Sequence, residues 1–150
     1  MRAGVWLLTG VLLAHGGAAP RALAQAAPCS KADFEAVVDE AAGSLRDLTR
    51  QNTPQFQAKL RLLKEKRGWS NDQFMKEAEP FVRDETIAGF DRTSEEFLSR
   101  IMHGGQSQAA TDKPDCALLT GLRASMQSLV ETQKTKWAYM FDKLDKELAK

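Results

Sequence analysis

The residues in this 150-residue chain that could do chemistry are few and scattered. It holds two cysteines, Cys29 and Cys116, and two histidines, His15 and His103. Neither cysteine belongs to a C-x-x-C pair or neighbours a histidine, so thiol catalysis has no support and a structural disulfide is the expectation. His103 follows Met102 and precedes Gly104, a pairing that could hold a soft metal. A lone histidine near a helix C-terminus is better read as a cation facing the negative end of the helix dipole. Glu-x-x-His, the signature of di-metal sites in helical bundles, is absent, as are an EF-hand loop, a C-x-x-C-H haem attachment, a P-loop and a glycine-rich dinucleotide loop. The sequence therefore offers no catalytic constellation, no metal site and no cofactor, and no motif that would carry a family resemblance.

Binding is the chemistry that remains. Residues 59–67, KLRLLKEKR, gather Lys59, Arg61, Lys64, Lys66 and Arg67, a basic face that could meet an anionic partner. Glu77, Glu79, Asp84 and Glu85 form an acidic group just downstream, and a hairpin would let the two clusters face each other. Residues 137–141, WAYMF, place Trp137, Tyr139, Met140 and Phe141 close together. Trp137, Met140 and Phe141 fall on or beside an apolar stripe and Tyr139 falls off it, so core packing is the first reading of the group, and an exposed aromatic there could mark a partner site. If they turned inward between helices, Arg83, Arg92, Lys59 and Glu85 could instead bind a small anionic molecule.

The first residues give a compartment. MRAGVWLLTGVLLAHGGAAPRALAQ has a positive residue at Arg2, an apolar run from Val5 to Ala14 and an A-x-A pattern at Ala22–Ala24. That order reads as a cleaved secretory signal, residues 1–24, and the run is about half of what a membrane span needs. Alanine richness and the short basic region point to bacterial export, hence the periplasm. Pro28 stands where a lipoprotein signal needs a small residue before Cys29. Arg2 and Arg21 leave with the signal, so 19 of the 21 basic residues remain against 20 acidic ones. This balance provides no global attraction to nucleic acid or an anionic bilayer, and a protein or envelope component is the expected partner. In an oxidising compartment Cys29 and Cys116 are expected to pair, contributing about 4 to 5 kcal/mol by loop-closure entropy.

The elements that must position these groups read as helices. Ser30 can cap a helix with Asp33 in its first turn, and Phe34, Val38, Ala41, Leu45 and Leu48 follow at spacings of three and four. Pro54 interrupts this run as a kink; Phe56, Leu60 and Leu63 continue it, and Gly68 ends it. Trp69, Ser70, Gln73 and Phe74 form a capping box with a hydrophobic staple, starting a second helix near residue 71. Pro80 kinks or restarts it, Thr93 and Glu96 could mark another break, and Gly104–Gly105 should end it. Residues 104–114, GGQSQAATDKP, read as a polar loop, and Asp112 or Asp115 should cap the last helix. There Leu119, Leu122, Met126 and Leu129 begin an apolar stripe that runs to Leu148, with Gln133 as its one polar member.

Residues 25–150 thus predict a single all-α domain: an elongated up-down-up bundle of three long, proline-kinked helices, alternatively counted as four or five shorter ones, stapled by one disulfide. A reversal at Pro54 would put the cysteines at opposite ends of the bundle, whereas a disulfide needs Cα atoms within about 7 Å. The functional expectation is an exported, non-enzymatic module that binds a protein or envelope partner. The rival readings are a small-molecule-binding protein or enzyme with a polar site between kinked helices, and an envelope stress chaperone with a concave apolar face.

Overall fold

The structure is a computed structural model describing residues 29–109 and 113–150; the proposed signal at 1–24 lies outside the described residues. The described residues form five helices: α1 (Lys31–Arg67), α2 (Asn71–Glu77), α3 (Glu79–Val82), α4 (Glu85–Ala109) and α5 (Cys116–Ala149). α1 and α5 are the first and third rods; α2, α3 and α4 together make the second. Cys29 and Cys116 are disulfide-bonded with their Cα atoms 5.5 Å apart, so α1 and α5 start side by side and run parallel. The fold is the expected all-α up-down-up bundle.

Each helix begins where local chemistry allows. Ser30 and Asp33 form a full capping box at α1: the Ser30 hydroxyl accepts from the Asp33 N–H, and the Asp33 carboxylate accepts from the Ser30 N–H. The same reciprocal pair joins Ser70 and Gln73 at α2. Asp115 caps α5 by accepting from the N–H groups of Ala117 and Leu118 at 2.9 and 3.1 Å. α1 ends on Gly68, whose φ of 65° is left-handed; glycine alone adopts it without a Cβ penalty.

Three local expectations are corrected. Thr93 and Glu96 do not break the second rod, since α4 runs through them and the Thr93 hydroxyl donates to the Gly89 carbonyl. The break lies ten residues earlier, where Arg83 is extended and the Asp84 carboxylate accepts from the Ile87 N–H at 2.8 Å. Nor do Gly104 and Gly105 end the helix, which continues to Ala109. Gly104 faces α5, where a Cβ would lie 3.4 Å from the Leu118 side-chain tip. In α1 the buried residue of the first turns is Val37, not Val38, which is 42% exposed. Pro54 sits inside a continuous helix, flanked by two side-chain amides that bond to carbonyls of the preceding turn, Asn52 to Leu48 and Gln55 to Gln51.

Packing runs through α5, which holds α1 on one side and α4 on the other. Two apolar clusters result. Near the disulfide, Phe34, Val37 and Ala41 of α1 meet Leu119, Leu122 and Met126 of α5. At the far end, Phe56, Leu63, Phe81 and Ile87 close over Met140 and Leu144. Leu144 and Leu63 are 0% and 1% exposed. Between the clusters lies Ser94, the one buried polar residue among those described, whose hydroxyl donates to the Phe90 carbonyl and accepts from Gln133 Nε2 at 2.7 Å. The polar member of the α5 stripe is thereby satisfied.

Candidate functional site

The 137–141 aromatics and most of the basic face are engaged within the bundle. α5 brings the 137–141 aromatics onto the far cluster: Met140 is buried, while Trp137, Tyr139 and Phe141 are half-buried and packed against it. Phe56 stacks edge-on against both Trp137 and Phe141, at centroid distances of 5.9 and 5.5 Å. Tyr139 lies off the stripe, as its position implies, but its ring neighbours Phe90 and its hydroxyl donates to Asp84 at 2.8 Å. Met140 is therefore a core residue rather than a contact residue.

The basic face also finds its partners inside the molecule, and they are not the ones the hairpin suggested. Because α1 and α5 run parallel, the last turns of both helices lie together. Lys59 pairs with Asp145, and Arg67 with Glu147 at 3.1 Å. Lys66 donates to the Leu148 carbonyl at 2.7 Å, neutralising part of the negative end of α5. Lys64 donates to Asn71 at 2.6 Å, and its ammonium stands over the Phe74 ring. Arg61 is exposed. The Glu147 carboxyl is held below its ordinary range chiefly by the Lys150 hydrogen bond, with Arg67 adding to the effect.

The acidic group splits up. Glu79 pairs with Arg83 along one short helix, and Glu85 with Arg92 along α4. The side chains of Arg83, Arg92 and Glu85 are 81%, 61% and 88% exposed, so they point to solvent rather than into the bundle. Asp84 alone becomes a hub. Its carboxylate caps α4, accepts from Tyr139 and pairs with Lys143, which also donates to the Pro80 carbonyl. Its pKa is drawn down to about 2, first by the Lys143 ammonium, then by the Ile87 N–H and the Tyr139 hydroxyl, against the opposing effect of partial burial. This cluster joins three helices at the one extended residue of the second rod. Nothing in the sequence singled out Asp84 from its acidic neighbours; its spacing of three before Ile87 is the signal that could have done so.

Two open surfaces stand out among the described residues. One is a hollow of about 250 Å³ on α4, lined by Glu95, Leu98, Ser99, Met102 and His103. Every lining residue belongs to α4, and no other described element contributes to it. Leu98 is 46% and Met102 62% exposed. The other is a groove of about 200 Å³ between α1 and α5 near the disulfide. Sequence reasoning placed His103 and Met102 at a helix end; the extension of α4 past the glycines puts them on a helix face instead. Among the described residues, no three His, Cys, Asp or Glu gather around a point where a metal ion could sit, and no helix is long and apolar enough to cross a membrane. Comparison with protein-family models, with curated proteins and with solved structures finds no match.

Proposed function

We propose that this chain is exported to the periplasm, loses residues 1–24, and acts there as a non-enzymatic helical module that binds a protein partner through the outward face of α4. The observation that carries the reading is the pair of large apolar side chains at Leu98 and Met102, exposed on one face of α4 beside a hollow lined by that helix. Covering what both still expose would recover part of the about 1.5 to 3 kcal/mol that full burial of such a side chain gives. Methionine suits such a contact because its unbranched thioether adapts to the surface it meets. Glu95, Ser99 and His103 supply a polar rim that sets orientation. The basic and aromatic clusters support the module by holding its far end together rather than by touching the partner.

Affinity capture from an envelope extract tests the reading with three proteins: wild type, the double variant Leu98→Asp/Met102→Asp, and Met75→Asp. Met75 is the most exposed large apolar residue among those described, at 73%, and lies in α2, away from the hollow. The expected result is one partner retained by wild type and Met75→Asp and lost with the double variant, all three having the same helical circular dichroism. Equal capture by all three, or no capture by any, rejects the α4 face.

A further inference from the structure

The exposed face of α4 is complementary to itself when reversed. Glu95, Leu98, Ser99, Met102 and His103 stand along it, all exposed, at spacings that keep them on one side of the helix. A carboxylate opens the row and an imidazole closes it, eight residues or about 12 Å further on. Between them Leu98 and Met102 lie one turn apart, with the small Ser99 beside them.

Another α4 can lie on this row in two directions. Parallel packing sets Glu95 against Glu95 and His103 against His103, with no opposite groups to match. Antiparallel packing about a two-fold axis at residues 99–100 brings Leu98 of each copy level with Met102 of the other, so that four large apolar side chains cover one another. The same operation puts Glu95 of each copy within side-chain reach of His103 of the other, where an imidazole N–H can donate to the carboxylate. Among the described residues Glu95 makes no ion pair of its own, so its carboxylate is available for this contact. The nearby cations stay out of it: Arg92 is held by Glu85 at 2.9 Å, and the Arg100 guanidinium stands over the Phe97 ring away from the row.

We propose that the partner of the α4 face is a second copy of this chain, docked as a symmetric antiparallel α4 pair with Leu98 of each copy on Met102 of the other and Glu95 beside His103. This rests on the reading of α4 as the binding face and names its occupant. Five side chains per copy fall well short of the roughly 20 to 30 residues a side of a standard interface, so the pair forms and parts with concentration.

Sedimentation velocity of the purified, oxidised protein, run from about 1 μM to 1 mM, tests this. Wild type should pass from monomer toward dimer across that range, and Leu98→Asp/Met102→Asp should stay monomeric. Glu95→Lys sets two cations together at each end of the pair, and His103→Glu sets two carboxylates together. Each should weaken association about fivefold. The double swap Glu95→Lys/His103→Glu should restore it, because antiparallel packing again joins opposite charges; parallel packing would repel at both positions. Circular dichroism should show the same helix content in every variant. Association that persists in Leu98→Asp/Met102→Asp, or a double swap no tighter than the single variants, overturns the proposal. A monomer at every concentration, with a polypeptide of another sequence captured through Leu98 and Met102, overturns the second copy and leaves the α4 face standing. Loss of both capture and self-association removes both.

Discussion

The two ends of this bundle hold the same pair of parallel helices by opposite means. At the start of α1 and α5 the link is covalent, and the core around it is mainly aliphatic, with Val37, Ala41, Leu119, Leu122 and Met126 around one aromatic, Phe34. At the other end there is no covalent link. Aromatic rings fill the core, and ion pairs such as Lys59–Asp145 and Arg67–Glu147 tie the closing turns together. A small core can be thin where a bond constrains the unfolded chain, whereas the free end has to be built from buried area and complementary charge. The candidate binding surfaces follow the same division. The α1–α5 groove lies toward the disulfide end, and the aromatic-rich end packs its rings onto the core.

The comparison can be broken most severely at the disulfide. Cys29→Ser/Cys116→Ser should lower stability by about 4 to 5 kcal/mol, since the bond closes a sequence separation of 87 residues. Native-state hydrogen exchange should then show protection falling first around Val37 and Ala41, with Leu63 and Leu144 opening only at global unfolding. Uniform loss of protection would mean that the two ends are one cooperative unit. At the free end, Leu144→Ala should cost about 3 to 4 kcal/mol in denaturant melts, because a fully enclosed side chain leaves a cavity.

Asp84 gives the next effect. Its folded pKa lies below the ordinary 3.8, so its stabilisation is complete above about pH 4 and lost as pH falls from there toward 2. Allowing for its partial exposure, about 1 to 2 kcal/mol should disappear over that window. Asp84→Asn keeps a capping side chain and should flatten this part of the pH profile, measured by thermal melts. Between the two ends, Gln133→Leu should change stability by less than about 1 kcal/mol, because it removes both the amide and its burial, and Ser94 keeps its bond to Phe90. Smallest of all, a double-mutant cycle on Lys59 and Asp145 should return a coupling below about 1 kcal/mol that shrinks in high salt.

Much of this was legible in the sequence because it is local. The capping boxes at Ser30 and Ser70, the glycine stop at Gly68 and the apolar stripe of α5 each rest on residues within a few positions of one another. Two cysteines added the one long-range fact from which the up-down-up order follows. What could not be read was whatever depends on a neighbour far along the chain. Gly104 looks like a terminator until Leu118 is set against it. The basic run at 59–67 looks like a free surface until the end of α5 lies beside it. The α4 hollow and the α1–α5 groove were invisible for the same reason, since each is defined by what fails to pack there.

The central place of α5 bears on the order in which the molecule can come into being. α1 and α4 each bury their apolar stripe against that last helix, so the polypeptide up to residue 115 holds two amphipathic rods that lack their main packing partner. A chain threading outward from its N-terminus would present Cys29 long before Cys116, and its first thiol must stay unpaired until the whole second rod has passed. Assembly is thus postponed to the end of synthesis, when one helix arrives and supplies both halves of the core at once.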